Sequence, residues 1–231
     1  MSDDLLSVIL PVYNQADHIE RVVEEYEGAL RGLPVSHETL LVVNGCRDTS
    51  LKRCQELAAR HGSVRVLSCV QAGWGHAVKR GLGEARGRLL CYTNSARTSA
   101  QDLALLVRYA LTDSGVVVKA NRKIRESWVR RLGSLLYNLE CRALFDLSCW
   151  DVNGTPKVFP RSLGKLLALT RDDDLLDAEF TVVCRREGYQ MLEVPIFSTA
   201  RHGGRSVTTL RSAVKLYAGA LGLWRELGRR A

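Results

Sequence analysis

An apolar segment, Leu89 to Tyr92, runs into a small polar cluster, Thr93-Asn94-Ser95-Ala96-Arg97. Such residues can hydrogen-bond a ligand, and the arginine can neutralise an anion. They make a poor seat for a hard divalent cation, which selects charged carboxylate oxygens. Two further polar turns follow apolar runs: Tyr13-Asn14 after Leu5 to Val12, and Asn44-Gly45-Cys46-Arg47-Asp48 after Thr39 to Val43. Gly73-Trp74-Gly75 opens a helical stretch. Small residues there let a backbone approach a ligand, and a helix N-terminus favours anions. The dinucleotide spacing G-x-G-x-x-G is absent, because Val78 stands at its third glycine, and no Walker loop occurs.

Carboxylates are densest at Asp172-Asp173-Asp174 and Asp177-Ala178-Glu179. At a helix start they complement the helix dipole. Five scattered histidines, His76 and His202 among them, lack metal-ligand spacing. The seven cysteines form no C-x-x-C pair, and several sit in apolar runs where a free thiol behaves as a small hydrophobe. That usage fits a reducing, cytoplasmic compartment. The acidic start, Met1-Ser2-Asp3-Asp4, lacks the basic region of a signal peptide. No apolar run approaches the roughly 20 residues that span a bilayer.

The elements that must carry these groups alternate. Buried strands are expected at Leu5 to Val12, Thr39 to Val43, Val64 to Leu67, Leu89 to Tyr92 and Val116 to Val118. Between them lie helical patterns: one capped by Asn14 with Ile19, Val22, Val23, Tyr26 and Leu30 on a face, then Thr49 to His61, Gly73 to Arg86, and Ala100 to Leu111. This alternation predicts βαβ units, a mostly parallel sheet flanked by helices, and one α/β domain over residues 1–231. Strand ends in such a sheet share one edge and line one crevice. The second half holds a helix around Trp128 to Phe145, a loop at Trp150 to Thr155, a helix near Leu175 to Glu187 and a strand at Met191 to Ile196.

Net charge is +8. Six arginines and one lysine against one glutamate follow from Arg201 onward, so the tail carries most of the imbalance. A helix over about 208–228 places Leu210, Val214, Tyr217, Leu221 and Trp224 on one stripe, with arginines off it. Such a helix can lie on an anionic membrane surface or dock on the domain core. No groove-reading motif supports nucleic-acid binding.

Five stretches in order carry a family resemblance: "SVILPVYNQADHIERVV", "LLVVNGCRDTS", "AGWGHAVKRGLGEARGRLLCYTNSA", "DAEFTVVCRREGYQMLEVPI" and "RHGGRS". Together they resemble the family 2 glycosyltransferases, most nearly the polyprenyl-phosphate sugar transferase branch. The resemblance implies a Rossmann-like GT-A fold and transfer of a sugar from a nucleotide diphosphate sugar, with inversion at the anomeric carbon. The implied acceptor is a polyprenyl phosphate or a small molecule, at the cytoplasmic side and with a peripheral membrane contact. It assigns the donor's nucleotide to Pro11, Tyr13, Asn14, Asn44, Gly45, Asp48 and Gly73 to His76 (Trp74 and Gly75 included). Asn94, Ser95 and Arg97 would also face the donor. It assigns the diphosphate to Arg122, to Arg130 or Arg131, and to the loop residues Arg201, Arg205 and Ser206. A catalytic base is implied at Asp177 or Glu179, with Asp174 as a rival, whereas Asp151 reads as structural.

Three departures stand against the family pattern. Asn94, Ser95 and Ala96 replace its metal-holding Asp-x-Asp, the first Asp of the second-strand turn is missing, and Gln15 stands for Glu. No metal site is therefore assigned and no cofactor expected, although the family's usual ion is Mg²⁺ or Mn²⁺. Two readings stay open. In one, arginines replace the ion in an active enzyme. In the other, the chain is an inactive nucleotide- or partner-binding module.

Overall fold

The computed structural model describes residues 5–123, 128–197, 203 and 210–228. The first half builds the expected alternation: β1 (Leu5–Val12), α1 (Ile19–Arg31), β2 (Ser36–Asn44), α2 (Ser50–Arg60), β3 (Val64–Cys69), α3 (Trp74–Glu84), β4 (Leu89–Tyr92), α4 (Ala100–Thr112) and β5 (Val117–Arg122). The second half adds α5 (Trp128–Phe145), β6 (Lys157–Pro160), α6 (Leu176–Arg186), β7 (Met191–Ile196) and α7 (Leu210–Gly228). One seven-stranded sheet runs in the order β3-β2-β1-β4-β6-β5-β7. Pairings are parallel except where β6 lies antiparallel to β4 and β5.

The sheet is apolar on both faces, as buried parallel strands must be. One layer packs α1, α2 and α4 residues such as Val22, Tyr26, Leu57 and Leu106 against Leu6, Val8 and Leu41. The other packs α3 and α6 residues, including Val78, Leu82 and Phe180, against Ile9, Val42 and Tyr92. A third cluster joins α5, α6 and α7 through Tyr137, Cys141, Val182, Ala220 and Leu223. All seven cysteines are free, and five of them are buried.

Three expectations need correction. Asn14 does not cap α1: it sits at φ 49° in a turn, and the helix begins five residues on, at Ile19, after His18. Asparagine tolerates this left-handed conformation through local side-chain hydrogen bonds, so the same side chain that suggested a cap makes a turn instead. β5 runs on to Arg122 rather than stopping at Val118. β6 was not expected at all: it is four residues long and opens on a lysine, so its apolar run is short.

α7 is also placed differently from its apolar stripe. Its Ala220 and Leu223 are buried in the third cluster, and Gly219 packs against Leu175. Tyr217 stacks edge-on to Tyr137 at 5.6 Å and donates to the Gly133 carbonyl at 2.6 Å. The helix therefore docks on the domain, while Trp224 stays 45% exposed. The side chains of Leu210 and Val214 lie outside the described residues.

Glu27 ties the α1 layer to the sheet. Only 2% exposed, it accepts from Thr39 Oγ1 at 2.9 Å and Ser63 Oγ at 2.5 Å, and it pairs with His37 Nε2 at 3.1 Å. Burial pushes its carboxyl up, but the hydrogen bonds from His37, Ser63 and Thr39 outweigh that and hold it at about 2. Because this lies below the ordinary value of 4.5, the stabilisation is complete above that pH and is lost as pH falls through the folded-state value. Urea unfolding of wild type should show this loss, at most about 3 kcal/mol. Glu27→Gln should be less stable at neutral pH and flatter below about pH 5. Identical pH slopes for the two proteins would remove Glu27 from this role.

Candidate active site

The polar strand ends meet along one edge of the sheet, and their own hydrogen bonds lock them together. Asn14 Oδ1 accepts from the Arg47 amide at 2.8 Å, and the Gln15 amide donates to Ser50 Oγ at 2.8 Å. Asp48 accepts from the Ala16 amide at 3.1 Å and the Ser50 amide at 3.0 Å. The turn after β1 is thus bolted to the turn after β2. Asn44, buried, donates to the Val12 carbonyl at 2.9 Å and accepts from the Gly73 amide at 3.2 Å. It brackets β1, β2 and the start of α3. Gly45, at φ 59°, lies so close to Ala72 that a Cβ there would meet the alanine methyl at 2.7 Å. Pro11 is buried in β1, while Tyr13 is exposed at the rim.

The β4 end joins the same rim. Ser95 Oγ donates to Gln15 Oε1 at 2.5 Å, and Asn94 Oδ1 accepts from the Ala96 amide at 2.9 Å. Gln15, which stands where the family pattern has Glu, and Ser95, at the middle position of the replaced Asp-x-Asp, are therefore partners, an amide and a hydroxyl that satisfy each other. The donors here are neutral and already engaged, so they do not fit a hard divalent ion. Among the described residues, no group of three or more His, Cys, Asp or Glu is arranged to hold a metal. Arg97 is half-buried beside them.

The α3 start is seated on the segment before α6. The His76 amide donates to the Asp172 carbonyl at 3.0 Å, and Lys79 pairs with the Asp172 carboxylate at 2.7 Å. That pairing, through the Lys79 hydrogen bond first, lowers the Asp172 pKa. Gly75 leaves no room for a side chain against Asp172 and Asp173.

The acidic candidates differ sharply. Asp177 is 5% exposed and accepts from Trp74 Nε1 at 3.1 Å, Tyr92 Oη at 2.9 Å and the buried Lys157 ammonium. Glu179 accepts from the Thr170 amide and hydroxyl and from the Arg171 amide at 2.7–3.0 Å, which clamps that loop. Both carboxylates are fully occupied by the protein. Asp174 is exposed as a residue, but packing around its carboxyl raises its pKa, with Asp177 and Asp173 adding to the rise.

Among the proposed phosphate ligands, Arg122 grips Asp151 through Nε at 2.8 Å and Nη2 at 2.9 Å, and its amide donates to the same carboxylate at 3.0 Å. Burial opposes the charge, yet Asp151 raises the Arg122 pKa. Arg131 is exposed on α5. The Arg130 side chain, and Arg201, His202, Arg205 and Ser206, lie outside the described residues. One residue of that loop is described. Gly203 sits against Asp17 and His18, where a Cβ would come within 2.6 Å of His18 Nδ1. This places Gly203 beside the segment that follows β1 and carries Asn14 and Gln15.

Sequence reasoning missed the supports beneath this rim. Lys119 and Lys157, opposite one another on β5 and β6, are both fully buried. Lys119 pairs with Glu193 at 2.8 Å, and Lys157 with Asp177. Burial pushes the Lys157 ammonium down, and Lys119 adds to that, against the pull of Asp177. A lysine next to valine in a short apolar run, as in "VVVKAN" and "TPKVFP", was the available signal.

Comparison with known proteins follows from this geometry. The family model described as "Glycosyl transferase family 2" matches residues 7–166. Relatives include an undecaprenyl-phosphate 4-deoxy-4-formamido-L-arabinose transferase from Pseudomonas paraeruginosa (strain DSM 24068 / PA7), 27% identical over 73% of this chain and 51% of its own. The protein of the same description from Sodalis glossinidius is 21% identical over 94% of this chain and 66% of its own. The chain thus spans about half the length of the first of these relatives. A solved structure of glucosyl-3-phosphoglycerate synthase from Mycobacterium tuberculosis, with Mn²⁺, UDP and glucosyl-3-phosphoglycerate, superposes with a TM-score of 0.74 at 19% identity, over 96% of this chain and 80% of that one. The fold is GT-A, and the chain belongs to glycosyl transferase family 2.

Breaking the Lys157–Asp177 pair strands a buried charge. Lys157→Met should cost about 3–5 kcal/mol in denaturant unfolding. Lys157→Met/Asp177→Asn should recover much of this, because the amide oxygen still accepts from the Trp74 indole and its NH2 can donate to the Tyr92 hydroxyl, without any buried charge. Strictly additive losses would show that the two groups do not act as a unit.

Proposed function

We propose that this chain transfers a sugar from a nucleotide diphosphate sugar to a polyprenyl phosphate. The observation that carries the reading is the rim itself: the turns after β1, β2 and β4 and the start of α3 are hydrogen-bonded into one edge. Family membership and the relatives' names as undecaprenyl-phosphate sugar transferases support it. On this reading a phosphate oxygen of the acceptor attacks the anomeric carbon from the side opposite the donor's diphosphate. A new carbon–oxygen bond forms, the bond to the diphosphate breaks, and the nucleotide diphosphate leaves with the electron pair, inverting the centre.

A phosphate acceptor is already ionised at neutral pH and needs no strong base. That agrees with the engagement of Asp177 and Glu179 by neighbouring donors. Asp177 then orients Trp74 at the α3 start, and Glu179 holds the Thr170–Arg171 loop. Asp174, with its raised pKa, is the group left to accept a proton if the acceptor is a hydroxyl. The growing charge on the leaving diphosphate is assigned to arginines: Arg97, Arg130 and the loop pair Arg201 and Arg205. Arg122 contributes through the part of its guanidinium not given to Asp151. Cations aimed at developing charge are an effective route to rate enhancement.

Thermal shift against a panel of nucleotide sugars should identify the base and sugar, since a ligand stabilises the state it binds. Turnover is then measured with undecaprenyl phosphate, with and without EDTA. Transfer should persist under chelation, and its complete loss would overturn the arginine assignment. Arg97→Ala should weaken nucleotide diphosphate binding about 10- to 100-fold while sparing the nucleoside. Donor binding with no transfer or hydrolysis to any acceptor would favour a binding module instead.

A further inference from the structure

α5 has two unlike faces. Its inner face is committed: Tyr137 and Cys141 lie in the third core cluster, and Asn138 accepts from the Val152 amide at 3.1 Å. Its outer face is bare and apolar. Leu132, Leu135, Leu136 and Leu139 are 47, 46, 49 and 46% exposed. Their spacing of three, four and seven residues puts them on one stripe. Isolated exposed leucines are ordinary, but a contiguous stripe on a soluble domain marks a contact surface. Near the end of the helix, the Arg142 guanidinium lies 3.9 Å over the ring of Trp150, which is itself 55% exposed.

We propose that this face of α5 is a lipid-bilayer contact surface. The leucines would enter the apolar boundary of an anionic membrane while Arg131, Arg142 and Trp150 sit at headgroup level. Three observations choose this occupant. The chain's net charge is +8, and Arg131 and Arg142 lie along one flank of the stripe, against the single acid Glu140 on the other. A stacked arginine–indole pair has an apolar body and a charged tip, the combination favoured at membrane interfaces. The stripe presents on the order of a few hundred Å², short of the roughly 800 Å² per partner of a stable protein dimer.

This assigns membrane contact to α5, whereas the sequence pattern suggested α7. The inner side of α7 is spent on the core, at Ala220 and Leu223. No helix among the described residues is long and apolar enough to cross a membrane, so contact here is peripheral. The inference deepens the proposed polyprenyl-phosphate chemistry and rests on it for its purpose, because a lipid acceptor must be met at the bilayer surface.

The test is flotation of the full chain with vesicles that contain no polyprenyl phosphate, so that its outcome is separate from that of the acceptor assay. Phosphatidylcholine vesicles are compared with vesicles carrying about one-third phosphatidylglycerol. Wild type should float with the anionic vesicles and much less with the neutral ones. Leu135→Glu/Leu139→Glu should reduce binding more than about tenfold, with an unchanged circular dichroism spectrum. Leu105→Glu, an exposed leucine on α4, should bind like wild type. Failure of wild type to float, or equal flotation of the double variant, would overturn the proposal. A wild-type dimer in light scattering that the double variant converts to monomer, without vesicle binding, would overturn it in favour of a second copy of the chain.

Discussion

Lys119 and Lys157 stand opposite one another on adjacent strands with no exposure to water, and each survives there only because a carboxylate meets it. Glu193 on β7 answers Lys119, Asp177 on α6 answers Lys157, and Asp151 answers Arg122 at the end of β5. Three cations and three carboxylates balance inside the sheet. A lone charge here would cost several kcal/mol, so every element that supplies a member is held in register by the others. Lys119 also donates to the Asp151 carbonyl, and Glu193 accepts from the Trp150 and Asp151 amides at 2.9 and 3.1 Å. The 150–151 turn before β6 is therefore held by charged groups, between Cys149 and Val152, which pack into the third cluster.

The candidate site inherits its rigidity from this network. Asp177 reaches out of it to the Trp74 indole and the Tyr92 hydroxyl. Those residues sit at the start of α3 and the end of β4, which are two of the elements that form the rim. Trp74, Tyr92 and Phe180 continue the contact as edge-on rings at 6.3 and 5.7 Å. The chain of contact thus runs from the buried lysines to the edge where the donor is proposed to bind. A carboxylate that resembles a catalytic base in the sequence is, in the fold, the joint between core and rim.

The neutral strand end has a physical logic of its own. Ser95 and Gln15 form one hydrogen bond, and Asn94 turns its oxygen back to the Ala96 amide. The rim closes on itself through hydrogen bonds between and within these turns. Much of the chain's net positive charge lies in the stretch from Arg201 onward. Of that segment, Gly203 is seen against Asp17 and His18, a position where only a glycine fits.

By itself the sequence determined the alternation of strands and helices, the rim residues at three strand ends and the departure from Asp-x-Asp. Those features are local: apolar period, turn composition and residue type at the end of a run. It did not determine β6, the turn conformation of Asn14 or the face that α7 buries, because each depends on partners far along the chain. The hydrogen-bond partners of Asp177, Glu179 and Arg122 were also beyond it. A carboxylate reads the same in a sequence whether it faces a substrate or a buried lysine, and Lys157 lies 20 residues from Asp177 along the chain. Only the tertiary structure brings two opposite charges into one dry space, where the energy of leaving either unpaired decides what the residue does.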